Sequence, residues 1–374
     1  MIKLVINATL LDEQITGIGQ YQYSLLKQLS QEKDVLMNVI LNKAFIKSKL
    51  GTEFIKVLKI NNPRTTIIAS SSNKLVYRFE SLIGRYLKAG FIYHDLSFNS
   101  AFGGKGTAKV VTFHDAFFLD KNLNNKKFAL ANLNARYILP WSANNADHLI
   151  VQTQVVKNLL VKGLDLAPEK ITVIPMGNPA DEDIEVIESP LELKDQLNIN
   201  GNTITKPYFL TVGAGHSRKR TKDVIQASLK VAKKHQLVIT GKNAQDEPGV
   251  NKLSNINNNV KLLDYVSREE LVLLYRNAAG LFFPSCEEGF GFPIIEALKY
   301  KIPVFATDID VFKEVGASYI NYFGVGDIDK IANYMSEILS GSVKRNDNSE
   351  VTQWLQKYTW SNYTTQLISV YKKY

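Results

Sequence analysis

The stretch that decides the fold runs from residue 281 to residue 304 and reads LFFPSCEEGFGFPIIEALKYKIPV. It opens with an apolar run short enough to be a buried strand, and a loop with two glycines follows. Pro293 suits the start of a helix, where a backbone N–H has no intrahelical partner, and the next residues give that helix an apolar face. The stretch therefore predicts a strand, a glycine-rich loop and a helix N-terminus, which together suit a phosphate.

Two carboxylates bracket this junction, Glu288 in the loop and Glu296 about one turn into the helix. Carboxylates accept hydrogen bonds from hydroxyl groups, and Gly289 and Gly291 let the backbone approach a ligand closely. A site for a diphosphate that carries many hydroxyls needs these groups together. The alternative is a surface loop with two solvated acids before an amphipathic helix, and the glycines and acids alone favour that alternative.

The composition is that of a globular protein, with 374 residues, 45% hydrophobic and 22% charged, which is enough for two domains. The single cysteine, Cys286, excludes an internal disulfide and fits a reducing compartment. No apolar run has the length of a membrane span, and the N-terminal run is too short for a secretion signal. We therefore expect a cytoplasmic protein.

The net charge of +9 is unevenly distributed. Residues 1–180 hold 22 Lys and Arg against 12 Asp and Glu, a balance of +10, and residues 181–374 hold 23 against 24, a balance of −1. The basic half either faces an anionic surface, such as lipid headgroups, or only keeps the protein in solution. A predicted helix over residues 77–91, with an apolar face and flanking cations, either lies on a membrane or packs on its own domain.

Strand and helix candidates alternate along the chain, which predicts parallel sheets covered by helices. The first strand, over residues 3–7, leads into a glycine-rich turn and a helix over residues 21–29. Gly17 and Gly19 lie in that turn, where open α/β sheets bind ligands, although many such turns only connect two elements. Residues 35–41 and 54–60 are the next strand candidates.

The strand of residues 109–113 ends in two ionisable residues, His114 and Asp115. They fall at the carboxyl end of the strand, where α/β sheets bind ligands, and a histidine can donate to or accept from a sugar hydroxyl. The alternative is a buried histidine bonded to the backbone. The neighbouring Asp115 favours the functional interpretation, which we keep as a hypothesis.

The second half restarts with a strand at residues 208–212, followed by the turn GAGHSRKR and a helix from residue 221. Gly213 allows a close approach of the backbone, and Arg218 and Lys219 can neutralise a diphosphate. Cations at a helix N-terminus oppose the helix dipole, so their presence indicates a purpose other than stability. The sequence PMGNPA at residues 175–180, followed by an acidic run, is the best candidate for the domain boundary.

Four segments carry a resemblance to a known family. EGFGFPIIEAL at residues 288–298 resembles the E-x7-E signature of family 4 glycosyltransferases, which are retaining enzymes with the GT-B fold. Residues 213–219 are similar to the family's G-x4-RK turn, and His114-Asp115 to its acceptor-side motif. TGIGQY at residues 16–21 resembles the family's TGIGRY turn, with Gln20 in place of the usual arginine.

The resemblance implies an α/β protein with the GT-B fold, in which two Rossmann-like domains with parallel sheets face a central cleft. Residues 1–178 would form the acceptor-binding domain and residues 179–355 the domain that binds the nucleotide sugar. Residues 356–374 would form a C-terminal helix that crosses back to the first domain.

The resemblance also implies roles for individual residues, which fall into four groups. These are catalysis, by His114, Asp115 and Glu288; binding of the donor diphosphate, by Gly17, Gly19, Gly213, Arg218, Lys219, Gly291 and Ile295; binding of the nucleoside, by Tyr265, Val266 and Glu296; and binding of the sugar, by Glu288, Gly289, Phe290 and Gly291. No residue is expected to bind a metal ion, so we interpret Asp308, Asp310, Asp327 and Asp329 as turn and cap acids.

The implied activity is a retaining, metal-independent, front-face transfer of a sugar from a nucleoside-diphosphate sugar to a hydroxyl of a glycan, a lipid-linked acceptor or a polysaccharide precursor. No cofactor and no nucleic acid partner are expected, and the basic half suggests a peripheral contact with the inner face of the cell membrane. Two alternatives stay open: a nucleotide-sugar epimerase or hydrolase on the same fold, and a non-catalytic binding subunit of a glycosylation complex.

Overall fold

A computed structural model describes residues 1–71, 76, 84–98, 106–119, 134–182, 196–232, 234–255, 257–343 and 349–374. The part of the chain so described divides into two compact units. One comprises Met1–Gly177 with Tyr358–Tyr374, and the other comprises Asn178–Lys357. The sequence places the first boundary after residue 178 and the second after residue 355.

The first unit contains a parallel sheet with the strand order β3-β2-β1-β4-β5-β6-β7. The order runs outward in both directions from the neighbours β1 and β4, so the sheet has the topological switch point of a doubly wound fold. Its strands are β1 (Ile2–Asn7), β2 (Val35–Asn42), β3 (Thr66–Ser70), β4 (Ile92–Asp95), β5 (Lys109–Phe113), β6 (His148–Val151) and β7 (Ile171–Val173).

The helices of this unit lie between the strands along the chain, as the alternation of elements predicts. Those described before the second unit begins are α1 (Gly17–Leu29), α2 (Lys43–Lys47), α3 (Lys49–Asn61), α4 (Leu139–Asn145) and α5 (Gln154–Leu164), with a π-helical turn at Asn134–Ile138 before α4.

Three local predictions for this unit are wrong. Residues 54–60 are not a strand but part of α3, because Phe54 and Leu58 stand one helical turn apart and both are buried. Helix α1 begins at Gly17 rather than at Tyr21, so the glycines lie in its first turn. Of the predicted helix over residues 77–91, residues 77–83 lie outside the described residues, and residues 84–91 are not helical, with Gly84 and Gly90 at positive φ.

The second unit has a parallel sheet of strand order β12-β11-β10-β13-β14-β15, and a separate antiparallel hairpin of β8 and β9. The sequence does not predict that hairpin. The strands are β8 (Gln196–Ile199), β9 (Asn202–Thr205), β10 (Tyr208–Val212), β11 (Gln236–Thr240), β12 (Val260–Leu263), β13 (Gly280–Phe283), β14 (Val304–Thr307) and β15 (Asn321–Phe323).

The helices of the second unit cover this sheet, and the residues that fill its core include Phe209, Leu237, Phe282 and Phe305. The chain provides α6 (Thr221–Lys230), α7 (Val250–Ser254), α8 (Arg268–Asn277), α9 (Phe292–Lys299), α10 (Asp310–Gly316), α11 (Ile328–Leu339) and α12 (Ser349–Leu355). The predicted capping box of Ser267 and Glu270 is present at the start of α8.

The last helix, α13 (Trp360–Tyr371), belongs to the first unit and packs against α1. Polar contacts join it to the sheet. The hydroxyls of Tyr363 and Tyr21 are 2.7 Å apart, and the Tyr21 hydroxyl is 3.0 Å from that of Thr112. The Tyr371 hydroxyl is 2.5 Å from Nδ1 of His94. The return of the C-terminal helix to the first domain, which the resemblance implies, is therefore confirmed.

Three histidines of the first unit should make its stability depend on pH. Burial lowers the pKa of His94 to about 3 and the pKa values of His114 and His148 to about 4. An unfolded chain binds these protons near pH 6.5 and the folded chain does not, so stability is full above that pH and falls as the pH drops toward 4. Each fully buried ring should cost about 2 kcal/mol of the free energy of unfolding between pH 7 and pH 5.

Thermal unfolding at a series of pH values measures this loss, with His114→Gln as the informative variant. The variant removes one of the three titrating rings, so its melting temperature should fall less steeply between pH 7 and pH 5 than that of the wild type. Equal slopes for the two proteins would contradict the assignment of a depressed pKa to His114.

No helix within the described ranges combines the length and the apolar character that crossing a membrane requires.

Candidate active site

The two junctions that the sequence singles out lie side by side. Strands β10 and β13 are parallel neighbours, and the chain leaves them toward opposite edges of the sheet. Their carboxyl ends are therefore the topological switch point of the second unit, where open α/β sheets bind ligands. The turn after β10 carries the cations, and the loop after β13 carries Glu288.

The cation turn is held in an unusual backbone shape. Gly213 and Gly215 have φ of +83° and +115°, which a side chain would strain, and Ser217–Lys219 form one turn of 3-10 helix. Arg220 then adopts a left-handed conformation before α6 begins. The backbone N–H of Cys286 donates to the carbonyl of Arg218 at 2.9 Å, so the turn is fastened to the loop after β13.

Lys219, Arg218 and Glu288 form a mostly buried cluster. Nζ of Lys219 is 2.5 Å from Oε1 of Glu288, and a guanidinium nitrogen of Arg218 is 3.0 Å from the same oxygen. Burial raises the pKa of Glu288, but Lys219 and Arg218 more than offset this effect, so the pKa lies below its usual value and the carboxylate is charged at neutral pH. Two cations converge on one anion, which leaves an excess of positive charge at the switch point.

The loop after β13 leads into α9 as the sequence predicts. Gly291 adopts φ +123°, which would strain any other residue, and a Cβ there would lie 3.2 Å from the ring of Phe312. Helix α9 begins at Phe292, one residue before Pro293. Pro293 has no N–H and the N–H of Ile294 donates to the carbonyl of Gly291 at 3.0 Å, so the start of the helix suits an anion chiefly through the positive end of its dipole.

Glu296 is buried in α9 and contacts two residues of α8. Arg268 forms a salt bridge with one carboxylate oxygen, and the Tyr275 hydroxyl donates to the other at 3.0 Å. Each carboxylate oxygen can accept more than one hydrogen bond, so Glu296 keeps acceptor capacity for hydroxyls. Arg268 follows Tyr265 and Val266 closely in the chain, so one ion pair joins the two segments expected to bind the nucleoside.

The remaining candidates belong to the first unit. His114 is buried, and its Nε2 lies 2.8 Å from the carbonyl of Leu96, to which it must donate. The ring contacts Tyr21 and Phe98 edge to face. This is the backbone-bonded environment that the sequence offers as the alternative to a sugar contact, and it leaves Nδ1 as an acceptor. Asp115 accepts from the N–H of Phe117 at 3.2 Å.

Three residues of the second unit are absent from the sequence-based site. Arg268 and Tyr275 hold Glu296, and the buried Glu247 contacts the cation turn. None lies in a recognisable motif. The capping box is the one signal that marks the neighbourhood of Arg268.

No group of three or more His, Cys, Asp and Glu side chains in the described part of the chain could hold a metal ion. Asp327 caps α11 by accepting from the N–H of Lys330 at 3.0 Å. Asp308 pairs with Lys313 at 2.6 Å on the surface. These contacts give structural roles to two of the acids that resemble a metal-binding pair.

Family models match most of the chain. The model described as Glycosyltransferase Family 4 matches residues 61–182, and the model described as Glycosyl transferases group 1 matches residues 194–353. The second match includes the cation turn, Glu288 and Glu296. The chain is a group 1, family 4 glycosyltransferase. The family that the sequence resembles is thereby confirmed.

Curated relatives of this glycosyltransferase extend over nearly its full length. The O-antigen chain mannosyltransferase RfbU of Salmonella typhimurium is 26% identical over 339 residues, which are 85% of this chain and 86% of the relative. The O-antigen chain mannosyltransferase B of Escherichia coli is 23% identical over 384 residues, 96% of each chain.

Solved structures share the fold of the glycosyltransferase. Sucrose-phosphate synthase from Thermosynechococcus elongatus has a TM-score of 0.73 at 17% identity and covers 100% of this chain and 99% of its own. Anabaena HepE in complex with UDP and glucose has a TM-score of 0.68 at 12% identity and covers 100% of both chains. This likeness concerns the fold alone, and it confirms the GT-B fold that the sequence predicts.

Proposed function

We propose that this glycosyltransferase moves a sugar from a nucleoside-diphosphate sugar to a hydroxyl of a glycan or lipid-linked acceptor, with retention at the anomeric carbon and without a metal ion. The observation that carries the proposal is the cluster of Lys219, Arg218 and Glu288 beside the N-terminus of α9. Cations and the positive end of a helix dipole suit a diphosphate, and a charged carboxylate suits sugar hydroxyls.

The chemistry assigned to these residues is charge stabilisation. The bond between the anomeric carbon and the diphosphate oxygen breaks, and the acceptor oxygen bonds to the same face of the sugar. The acceptor proton passes to a phosphate oxygen of the leaving group, so no protein base is needed. Lys219 and Arg218 oppose the negative charge that grows on the diphosphate, where fixed positive charge has its largest effect on rate.

The other binding residues hold the donor in place. Glu288 and the backbone around Gly289 and Phe290 bind the transferred sugar, and Glu296 accepts from the ribose hydroxyls. Tyr265 and Val266 contact the base. Holding the donor and acceptor together supplies the part of the rate enhancement that comes from orientation.

The relatives suggest the sugar and the product. Two proteins named O-antigen chain mannosyltransferases align with nearly the whole chain. We therefore propose mannose as the transferred sugar and a cell-surface polysaccharide as the product. The basic first half is consistent with an acceptor held at an anionic membrane surface on the cytoplasmic side.

A donor screen followed by a transfer assay tests the proposal. UDP- and GDP-linked sugars, including a nucleoside-diphosphate mannose, are added singly, and a rise in melting temperature identifies the ligand. Transfer to a mannose-containing acceptor is then measured with and without EDTA, and NMR of the product gives its anomeric configuration. An inverted product, or activity abolished by EDTA and restored by a divalent cation, would contradict the mechanism.

His114 is the acceptor-side candidate, and its role makes a separate prediction. If its Nδ1 accepts from a sugar hydroxyl, His114→Ala should lower kcat/KM for transfer by about tenfold or more, the value of one such hydrogen bond. His148→Ala is the matched control because it removes another buried histidine of the same unit. Wild-type turnover in His114→Ala would show that the ring has only its structural contacts.

A further inference from the structure

Glu247 is a buried carboxylate that no functional assignment uses, and it contacts the cation turn at both ends. It follows β11 and is 3% exposed. Its Oε2 accepts from the N–H of Gly215 at 3.2 Å and from the hydroxyl of Thr221 at 2.7 Å. Its Oε1 accepts from the N–H of Thr221 at 2.7 Å. One side chain thus closes the segment that contains Arg218 and Lys219.

The backbone around Glu247 also fits the cation turn closely. A Cβ at Gly215 would lie 2.3 Å from the carbonyl oxygen of Lys242, and a Cβ at Gly241 would lie within 2.5 Å of the backbone of Ala214. Two glycines that could not carry side chains therefore let the turn after β10 and the turn after β11 pack backbone against backbone. The carboxylate lies at the first residue of α6, where the helix dipole favours an anion.

The charge of Glu247 acts on the cations as well. The pKa of Lys219 lies below its usual value because the side chain is buried, and the charge of Glu288, and to a smaller extent that of Glu247, opposes this effect. Of these two acids, only Glu288 is proposed to contact the donor. The charge of Glu247 therefore favours the protonated form of Lys219 weakly, and its main contribution is the set of hydrogen bonds to the turn.

We propose that Glu247 is a positioning residue for the donor diphosphate. It fixes the conformation of residues 215–221, so that Arg218 and Lys219 meet the diphosphate with no loss of conformational freedom when the donor binds. It does not touch the donor itself. The proposal rests on the function proposed above, because it assigns the turn to a diphosphate.

Calorimetry on Glu247→Ala and Glu247→Gln tests this role, with the exposed neighbour Asp246→Asn as the control of equal charge change. The ligands are UDP or GDP, whichever the wild type binds, and the matching nucleoside without phosphates. We expect Kd for the diphosphate to rise about tenfold or more in Glu247→Ala, since three hydrogen bonds to a charged group are lost, and Kd for the nucleoside to stay within a factor of about two. Asp246→Asn should match the wild type for both ligands.

Each outcome separates the positioning role from a structural one. A lower melting temperature with an unchanged ratio of the two Kd values would show that Glu247 only stabilises the fold, and would overturn the proposal. Glu247→Gln keeps the side-chain volume and an acceptor for one N–H, so its Kd for the diphosphate should lie between those of the wild type and Glu247→Ala. If the alanine variant does not fold, the Kd values of the glutamine variant test the proposal. Weak diphosphate binding in Lys219→Ala with normal binding in both Glu247 variants would reject the positioning role alone. A wild type that binds neither UDP nor GDP would reject the proposed function and the positioning role with it.

Discussion

We expect Lys219→Ala to lower kcat/KM for sugar transfer by about a hundredfold to a thousandfold, the range found when one group that stabilises developing charge is removed. This equals roughly 3–4 kcal/mol of transition-state stabilisation. The side chain is 16% exposed, so its charge is little screened by water, and it points into the cluster that contains Glu288. Arg218 remains in the variant, but it is then the one cation of the cluster and has to balance the charge of both Glu288 and the diphosphate.

Steady-state kinetics with a saturating acceptor measures the effect of Lys219→Ala, and Lys230→Ala is the control. Lys230 lies on α6 in the same unit, is largely exposed and pairs with Asp329 at 2.6 Å. Exposed ion pairs of this kind contribute little to stability, and Lys230 is not assigned to the donor, so the control should keep the wild-type rate. Melting temperatures of both variants establish that they are folded. A kcat/KM for Lys219→Ala within a factor of three of the wild type would contradict the assignment of Lys219 to the diphosphate.

Glu288→Gln should separate binding from turnover. Without a donor, Lys219 and Arg218 are both paired with the Glu288 carboxylate, so a diphosphate must share these cations with it. Glutamine has a similar volume and no charge, and therefore does not compete. We expect Kd for a free nucleoside diphosphate to fall, while kcat/KM for transfer drops about a hundredfold because the sugar loses a charged acceptor.

Isothermal titration with UDP and GDP, together with transfer kinetics, gives both quantities for Glu288→Gln. Glu287→Gln is the matched control, since it makes the same change one residue earlier and leaves intact the backbone carbonyl that accepts from Arg218 at 2.7 Å. Weaker diphosphate binding in Glu288→Gln than in the wild type would mean that the carboxylate does not compete for the cations.

The order of apolar and polar residues along the chain is sufficient to predict most of the fold. Short apolar runs that alternate with amphipathic segments correctly predict parallel sheets, because a parallel strand is buried on both faces and reads as a continuous apolar run. Residues 54–60 show where pattern fails. Five of these seven residues are apolar, and the two that are buried, Phe54 and Leu58, have the spacing of a helical turn, so a short window does not separate helix from strand.

The candidate site is predictable where its residues are close in sequence to a strand end. Arg218, Lys219 and Glu288 lie in two such turns, and the structure brings them into contact. Glu247 and Arg268 escape prediction because their contacts connect segments that are 26 and 28 residues apart, and no motif records those contacts. In the sequence alone, a single glutamate in a polar turn is interpreted as solvent-exposed, and only the tertiary structure shows that Glu247 is buried.

The return of the last helix to the first unit has a consequence for how the protein is made. Tyr363 and Tyr371 complete hydrogen bonds with Tyr21 and His94, so the first half of the chain lacks part of its interior until residues 360–371 are translated. The second unit needs no residue after Lys357, so it can complete its interior before the first unit does, although most of it is synthesised later. Premature termination just before residue 360 would then remove the partner of Nδ1 of His94, and would leave the Tyr21 hydroxyl with Thr112 but without Tyr363.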